Sequence, residues 1–279
     1  MPQVTDTAHF LQCPSGVVHI VQLTDTHLCQ ERGGTLLGMD TDHSLQAVIE
    51  LAKRERHQVD LVLGTGDLSD GGAPEAYRRL QEYFGQFGCH HCWLPGNHDE
   101  RGAMGAVADS PERLPKEIRT PYWQLLLLDS QVPGQVGGEL GRKELDRLST
   151  ALADAGADGL HTLVCLHHHP IEIGCQWLDE QMVADAAEFF ALLDRHPGVK
   201  GVLWGHVHQE VDSVRDGVRL LASPSTCVQF APGCESFKAD DQPPGYRWLE
   251  LHSDGRLETG VSRVRDVAFS VDLQSGGYL

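Results

Sequence analysis

Val17-Val-His-Ile-Val-Gln-Leu23 is a β-branched, largely apolar run, and Thr24-Asp25-Thr26-His27 follows it without a break. A run of this length and composition reads as a strand. It delivers an aspartate and a histidine at its end. The same arrangement recurs down the chain. Val59 to Leu63 leads into Gly64-Thr65-Gly66-Asp67, and Trp93-Leu94 closes a strand that leads into Pro95-Gly96-Asn97-His98-Asp99. His161 to Leu166 leads into His167, and Val199 to Trp204 into Gly205-His206-Val207-His208. Strand ends that carry acids, amides and imidazoles gather them at one edge of a sheet, where open α/β sheets place their active sites.

Helical segments separate these strands. Ser44 to Arg56 repeats Leu45, Val48, Ile49 and Ala52 at helical spacing, and Pro74 to Phe87 begins on a proline whose missing N–H costs nothing in a first turn. Arg142 to Ala155 and Asp179 to Arg195 read as helices, and Tyr122 to Leu128 as a further strand. Arg101 to Thr120, rich in Gly, Pro and charge, reads as an irregular substrate loop or lid. From Val211 onward the helices stop, and Asp216-Gly217 and Asp254-Gly255 are hairpin signals. The expected organisation is one domain over 1–279, with a metal-site core at 15–210 and C-terminal strands at 211–279 completing a second sheet.

Composition bounds the function. A chain of 279 residues with 41% hydrophobic content can bury one large core or two small ones. A net charge of -18 repels polyanions, which argues against nucleic acid or an anionic membrane as partner. A small anionic substrate fits only where metal ions invert the local field. Met1 to Gln12 carries neither the basic patch nor the apolar core of a leader, so a cytoplasmic protein is expected. The eight cysteines are scattered and too few for a disulfide framework, so reduced thiols are expected. Cys89-His90-His91-Cys92 could be half of a zinc site, but no second Cys-x-x-Cys completes it, and a strand bearing two thiols is the reading adopted.

Aspartate and neutral imidazole are ligands that suit Fe, Mn or Zn, and one carboxylate can bridge two ions. In Asp25-Thr-His27, and again in His206-Val-His208, alternate residues of an extended segment share a face. Gly66 would let the backbone bend sharply and bring Asp67 close. Of His167, His168 and His169, the first ends the strand and is the chosen ligand, with the other two turned elsewhere or supporting it.

These motifs, in this order from Val17 to about His208, resemble the calcineurin-like metallophosphoesterase superfamily. The resemblance implies an αββα sandwich of two mixed β-sheets flanked by helices, with two divalent ions at the strand ends. Carried over by position, Asp25, His27 and His208 would hold the first metal, Asn97, His167 and His206 the second, and Asp67 would bridge them. His98 would stay off the metals beside the phosphate, which would meet His27, Asp67, Asn97, His98 and His208. Leu23-Thr-Asp-Thr-His-Leu28, Leu36-Leu-Gly-Met39, Trp93-Leu-Pro-Gly-Asn-His-Asp99, His167-His-His-Pro170, Ala222-Ser-Pro-Ser-Thr-Cys227 and Pro244-Gly-Tyr-Arg-Trp248 are similar to the bacterial class III 3′,5′-cyclic-AMP phosphodiesterases. That narrower resemblance spans nearly the whole chain.

It implies hydrolysis of cyclic AMP to 5′-AMP by a metal-bridging hydroxide, with Fe or Mn as the expected ions and Zn as the alternative, and it admits a homodimer. Two divalent ions bring four positive charges against two carboxylates, Asp25 and Asp67, so a phosphodiester anion is attracted. The leaving 3′-alkoxide needs an acid, and His98 is the candidate. Asp70 stands where related Ser/Thr phosphatases carry an aspartate that orients the histidine, with Asp99 as its competitor. Another small phosphodiester (a 2′,3′-cyclic nucleotide or a glycerophosphodiester) or a phosphomonoester is the alternative substrate. A non-catalytic scaffold on the same fold is a third reading, but such scaffolds lose ligands and this chain keeps all seven.

Overall fold

The apolar runs become strands in the computed structural model, which describes residues 8–277. Met1 to Thr7, part of the segment read for a leader, lie outside the described residues. Val17–Leu23 (β1), Leu61–Thr65 (β2) and His90–Leu94 (β3) pair in parallel. Glu117–Arg119 (β4), Trp123–Leu127 (β5), His161–Cys165 (β6), Val199–Trp204 (β7), Val211–Arg215 (β8) and Val218–Ala222 (β9) belong to a second sheet, in which β5, β6, β7 and β9 run parallel. Gly245–His252 (β10) and Leu257–Arg263 (β11) form a hairpin. The strand orders are β11-β10-β1-β2-β3 in the five-stranded sheet and His9–Phe10, β4-β5-β6-β7-β9-β8 in the seven-stranded one.

Between the sheets lies an apolar layer drawn from both, with Val18, Ile20, Leu61 and Leu63 meeting Leu125, Leu127, Leu163 and Leu203. Helices cover the outer faces. Thr41–Glu55 (α1) and Pro74–Gly85 (α2) pack with Val21, Leu23 and Val62 of the five-stranded sheet. Arg101–Val107 (α3) follows β3, and Gly141–Asp158 (α4), Gln176–Asp179 (α5) and Ala186–Leu193 (α6) follow β5 and β6. Leu148 and Leu152 of α4 and Phe189 and Leu193 of α6 bury against Val164, Val202 and Leu220 of the seven-stranded sheet. The layers are those of an αββα sandwich. Among the described residues no helix is long and apolar enough to cross a membrane.

Three segments differ from the sequence reading. Residues 101–120 are not an irregular loop. Glu100 accepts from the N–H groups of Gly102 and Ala103 and caps α3, Pro111–Arg113 make a 3-10 turn, and β4 joins the sheet antiparallel to β5. The helix expected over 179–195 is split, because the Asp179 carboxylate accepts from Ile173 and Gly174, and tertiary bonds from Val183 N to His169 O and Ala184 N to Gly138 O hold the intervening residues in turns outside the helical path. The strands after Val211 are divided between the sheets rather than completing one. The β8-β9 hairpin extends the seven-stranded sheet, whereas β10 pairs with β1, since Leu249 and Leu251 alternate into the layer between the sheets.

Arg247 on β10 locks that division. Its fully buried guanidinium donates to Ser223 Oγ (3.2 Å), Ala222 O (2.7 Å), Val211 O (3.1 Å) and Thr259 Oγ1 (3.2 Å), so it joins the end of β9 to the β10-β11 hairpin. The motifs Ala222 to Cys227 and Pro244 to Trp248 therefore meet. A planar fork of donors suits several carbonyls better than an ammonium would.

Candidate metal centre

Five loops leave the C-terminal ends of β1, β2, β3, β6 and β7 and meet across the gap between the sheets. Their backbone is exceptional. Asp25, His27, Asp67, His206 and His208 all have positive φ, between 43° and 64°. Left-handed backbone costs a non-glycine residue roughly 1–3 kcal/mol and persists where neighbours over-determine it. Here Asp25 N donates to Gly66 O (3.0 Å), His27 N to Asp67 O (2.9 Å) and His206 N to both Asp25 oxygens (3.0 and 3.2 Å). This corrects the shared-face argument: β1 ends at Leu23 and β7 at Trp204. The side chains converge because their residues are turned, not because alternate residues of a strand align.

Glycine is required where the loops touch. A Cβ on Gly66 (φ 96°) would lie 2.2 Å from His167 Nδ1, and one on Gly96 would lie 2.3 Å from Asp67 Oδ1. Any side chain at either place pushes the donors apart.

Hydrogen bonds fix two imidazole tautomers. His167 Nδ1 is 2.9 Å from Thr65 O, and His208 Nδ1 is 2.7 Å from Val228 O. A carbonyl only accepts, so in neutral imidazole each Nδ1 carries the proton and each Nε2 presents a lone pair. His167 Nε2 faces Asp67 Oδ2 and Asn97 Oδ1, each at 3.2 Å. His208 Nε2 faces His27 Nε2 at 3.3 Å and Asp25 Oδ1 at 3.4 Å. His206 Nε2 is buried and has no hydrogen-bond partner. Lone pairs thus point at lone pairs, which is repulsive unless cations or protons sit among them. A donor set of nitrogen and oxygen converging in this way fits divalent metal ions. Asp25, His27 and His208 bring donor atoms within 4.8 Å of one another, and so do Asp25, Asp67 and His167.

Protonation tells the same story. Burial alone would raise the Asp67 carboxyl, but His167, His98 and His27 hold it well below the usual carboxylate range. Burial would lower His167, yet Asp67 and Asp25 push it up to about 9. Without metal, a proton on His167 therefore does part of a cation's work. His206 is held far below its ordinary value by burial and by His168, His167 and His169, and His27 is lowered chiefly by burial. Neutral imidazole is the form that binds metal.

Backbone amides orient the carboxylates: His98 N donates to Asp67 Oδ1 at 2.9 Å and leaves Oδ2 turned towards His27 and His167. The His98 ring stands edge-on to His27, with centroids 4.8 Å apart. Asp70 Oδ1 lies 3.4 Å from His27 Nδ1 and 3.6 Å from His98 Nδ1, so it neighbours both rings rather than His98 alone. Asp99 faces a different set of groups. It accepts from Leu68 N, Ser69 N, Gly96 N and the Tyr77 hydroxyl, and so fastens the loop after β3 to the loop after β2. Burial and the nearby Asp67 push Asp99 up to about 6, which still leaves it charged at neutral pH, as four donors require.

His168 brings a ring nitrogen within 4.8 Å of His167 and His206, but its nitrogens are engaged elsewhere. His168 has Nε2 3.0 Å from Val136 O and Nδ1 2.8 Å from Ser130 Oγ, so both ring nitrogens are used. His169 stacks on His206 with centroids 5.7 Å apart. No sequence pattern announces the Thr65 and Val228 carbonyls, Ser130, or Gln131, whose amide reaches the loop after β3.

At the opposite end of β3, the half-site expected as bland is a strand packed on both faces. Cys92 is buried between the sheets, Cys89 packs under the helices, and both thiols are pushed up by burial. His9, His90 and Glu112 cluster nearby, but the two rings stack at 4.0 Å and 14°, so their in-plane lone pairs run side by side instead of converging. All eight cysteines are free thiols.

Comparison with known proteins follows the same pattern. The sequence profile of the calcineurin-like phosphoesterases matches residues 18–210. The chain is 47% identical to the 3′,5′-cyclic adenosine monophosphate phosphodiesterase CpdA of Pseudomonas aeruginosa over 94% of its own length and 95% of that protein. It is 46% identical to the protein of the same description from Escherichia coli K12, with the same shares covered. A dimetal phosphatase from Danio rerio superposes with a TM-score of 0.64, over 89% of this chain and 99% of that one, at 14% identity, a likeness of fold alone.

Proposed function

The chain belongs to the calcineurin-like phosphoesterase family, and from that premise we propose that it hydrolyses 3′,5′-cyclic AMP to 5′-AMP at a dinuclear metal centre. The observation that carries the substrate is the near-full-length identity to cyclic AMP phosphodiesterases, 47% over 94% of the chain. In this reading Asp25, His27 and His208 hold one ion, Asn97, His167 and His206 the other, and Asp67 both. Oxygen and imidazole donors without a thiolate suit Fe or Mn, with Zn as the alternative. When bound, two divalent ions neutralise the phosphodiester and lower the pKa of a water so that hydroxide is available near neutral pH.

The chain's own residues then have separate tasks. His98 N pins the Asp67 carboxylate at Oδ1 (2.9 Å), which keeps Oδ2 in the centre. Thr65 O and Val228 O hold the Nδ1 protons of His167 and His208 (2.9 and 2.7 Å), which fixes the ring orientation and leaves Nε2 as the nitrogen aimed inward in both. The phosphate lies against His27, Asp67, Asn97, His98 and His208. His98, with 12% of its side chain exposed, stands at the open side of the site and protonates the leaving 3′-oxygen, and Asp70 orients it. The site acts in the cytoplasm, where cyclic AMP is formed and used, and the acidic surface keeps larger polyanions away.

A substrate panel tests this reading. The manganese-loaded protein is expected to turn over cyclic AMP with a kcat/KM above that for a 2′,3′-cyclic nucleotide, a glycerophosphodiester and a phosphomonoester. Preference for any of the last three would overturn it.

Metal binding should also depend on pH with a defined sign. His167 holds its proton to about 9 in the metal-free protein, so binding at the second site must release it. Affinity for Mn²⁺ is expected to rise about tenfold per pH unit between roughly 6.5 and 8.5, and to level off above the folded-state value. Calorimetry in buffers of different ionisation enthalpy should count about one proton released at that site. A pH-independent affinity would contradict the assignment. The linked stability has the opposite trend. Because the pKa is raised, its contribution to the metal-free fold is complete below the ordinary value of 6.5 and is lost as pH climbs through about 9.

A further inference from the structure

We infer that Gln131 is a positioning residue that sets the second metal site by clamping the loop after β3 from its open side. The inference rests on the reading of Asn97 and His167 as ligands of one ion. β3 is an edge strand of the five-stranded sheet, so β2 supports its terminal loop on one flank only. On the other flank Gln131 Nε2 lies 2.7 Å from Gly96 O and 2.6 Å from Asp99 O. Both partners are carbonyls, which only accept, so the amide nitrogen must be the donor and its two hydrogens are both used. The two carbonyls bracket Asn97 and His98.

The clamp is itself held. Gln131 N donates to Asp129 Oδ1 (3.1 Å), and Arg101 Nη2 donates both to Asp129 Oδ1 (2.8 Å) and to Gln131 O (2.6 Å). One residue away, Ser130 is fully buried. Its Oγ lies 2.8 Å from His168 Nδ1 and accepts from His168 N at 3.2 Å, beside His167. Since Val136 O takes the Nε2 proton of neutral His168, the Ser130 hydroxyl donates to Nδ1. Residues 129–131 thus tie the loop that carries Asn97 to the loop that carries His167. Those loops leave strands of different sheets, β3 and β6. The side chains that end up adjacent, Asn97 Oδ1 and His167 Nε2, are 3.2 Å apart. A strap that fixes both loops fixes that gap, and a ligand gap wrong by a fraction of an ångström weakens a metal site.

Substitutions separate this role from simple packing. Gln131→Met keeps the length and removes both donors. Gln131→Glu keeps the shape and sets a carboxylate against two carbonyl oxygens. Gln131→Lys returns donors on a longer stem. With Mn²⁺ as the probe, Met and Glu variants are expected to bind one ion per chain as the native protein does and the second roughly 10- to 100-fold more weakly, Glu worse than Met. At limiting Mn²⁺, kcat should fall in proportion with KM for cyclic AMP nearly unchanged, and Gln131→Lys should recover part of both. Native affinity for two ions in both the Met and the Glu variants would overturn the proposal, as would equal weakening in Met, Glu and Lys, which marks lost packing. Asn97→Ala, measured beside them, keeps the two failures distinct. If Asn97→Ala still binds two ions, the ligand reading fails; if it loses one while Gln131→Met does not, only the role of Gln131 fails.

Discussion

Asp67→Asn is expected to lose at least one metal ion per chain and to lower kcat/KM for cyclic AMP by roughly 10³-fold or more, the scale on which two-metal catalysis rests. The reason is charge. Asp67 is buried, its Oδ2 lies 3.2 Å from His167 Nε2 and 3.9 Å from His27 Nε2, and neighbouring histidines keep it ionised well below the usual carboxylate range. An amide keeps the shape but brings no negative charge to offset two dications. The metal-free fold should suffer less than the metal-loaded one. Native protein at Mn²⁺ 100-fold above its dissociation constant gains about 2.7 kcal/mol from each bound ion, and in Asp67→Asn that gain should shrink or vanish. Thermal unfolding with and without chelator reads this directly. A variant that keeps both ions and the native chelator effect would remove Asp67 from the centre.

His98→Ala separates chemistry from metal binding. Both ions should remain, and kcat for cyclic AMP should fall roughly 10²- to 10⁴-fold, the usual worth of a positioned acid. Bis(p-nitrophenyl) phosphate releases a stabilised phenolate that needs little protonation, so its loss should be much smaller. Equal losses on both substrates would assign His98 to phosphate binding or charge stabilisation instead. Asp70→Asn should show the leaving-group effect in weaker form. Because Asp70 is as near to His27 as to His98, at 3.4 and 3.6 Å, it should also loosen the first metal.

The strands and the residues at their ends were legible because each of these apolar runs ends one to four residues before an acid, an amide or a histidine. The left-handed turns at Asp25, His27, Asp67, His206 and His208 were not, because tertiary hydrogen bonds impose them and no local pattern announces them. In sequence Asp70 was the chosen partner of His98 and Asp99 its competitor. Only the folded loops show that Asp99 accepts from Leu68, Ser69, Gly96 and Tyr77 while Asp70 faces two rings. The split of the expected helix at 179–195 follows from bonds to His169 and Gly138, both more than ten positions away in sequence. The division of the C-terminal strands was hidden for the same reason: nothing local to Arg247 shows that Val211, Ala222 and Ser223 fold around it. Gln131 lies in an ordinary polar loop, and its two carbonyl partners leave no trace in side-chain identity.

On this account two metal ions, held by residues of five converging loops, hydrolyse cyclic AMP. Stepwise addition of Mn²⁺ to chelated protein, with bound metal and 5′-AMP formation followed together, tests it most directly. Activity should be absent in the metal-free protein and should saturate at two equivalents per chain. Full turnover at zero or one equivalent, or two bound ions with cyclic AMP untouched, would contradict it.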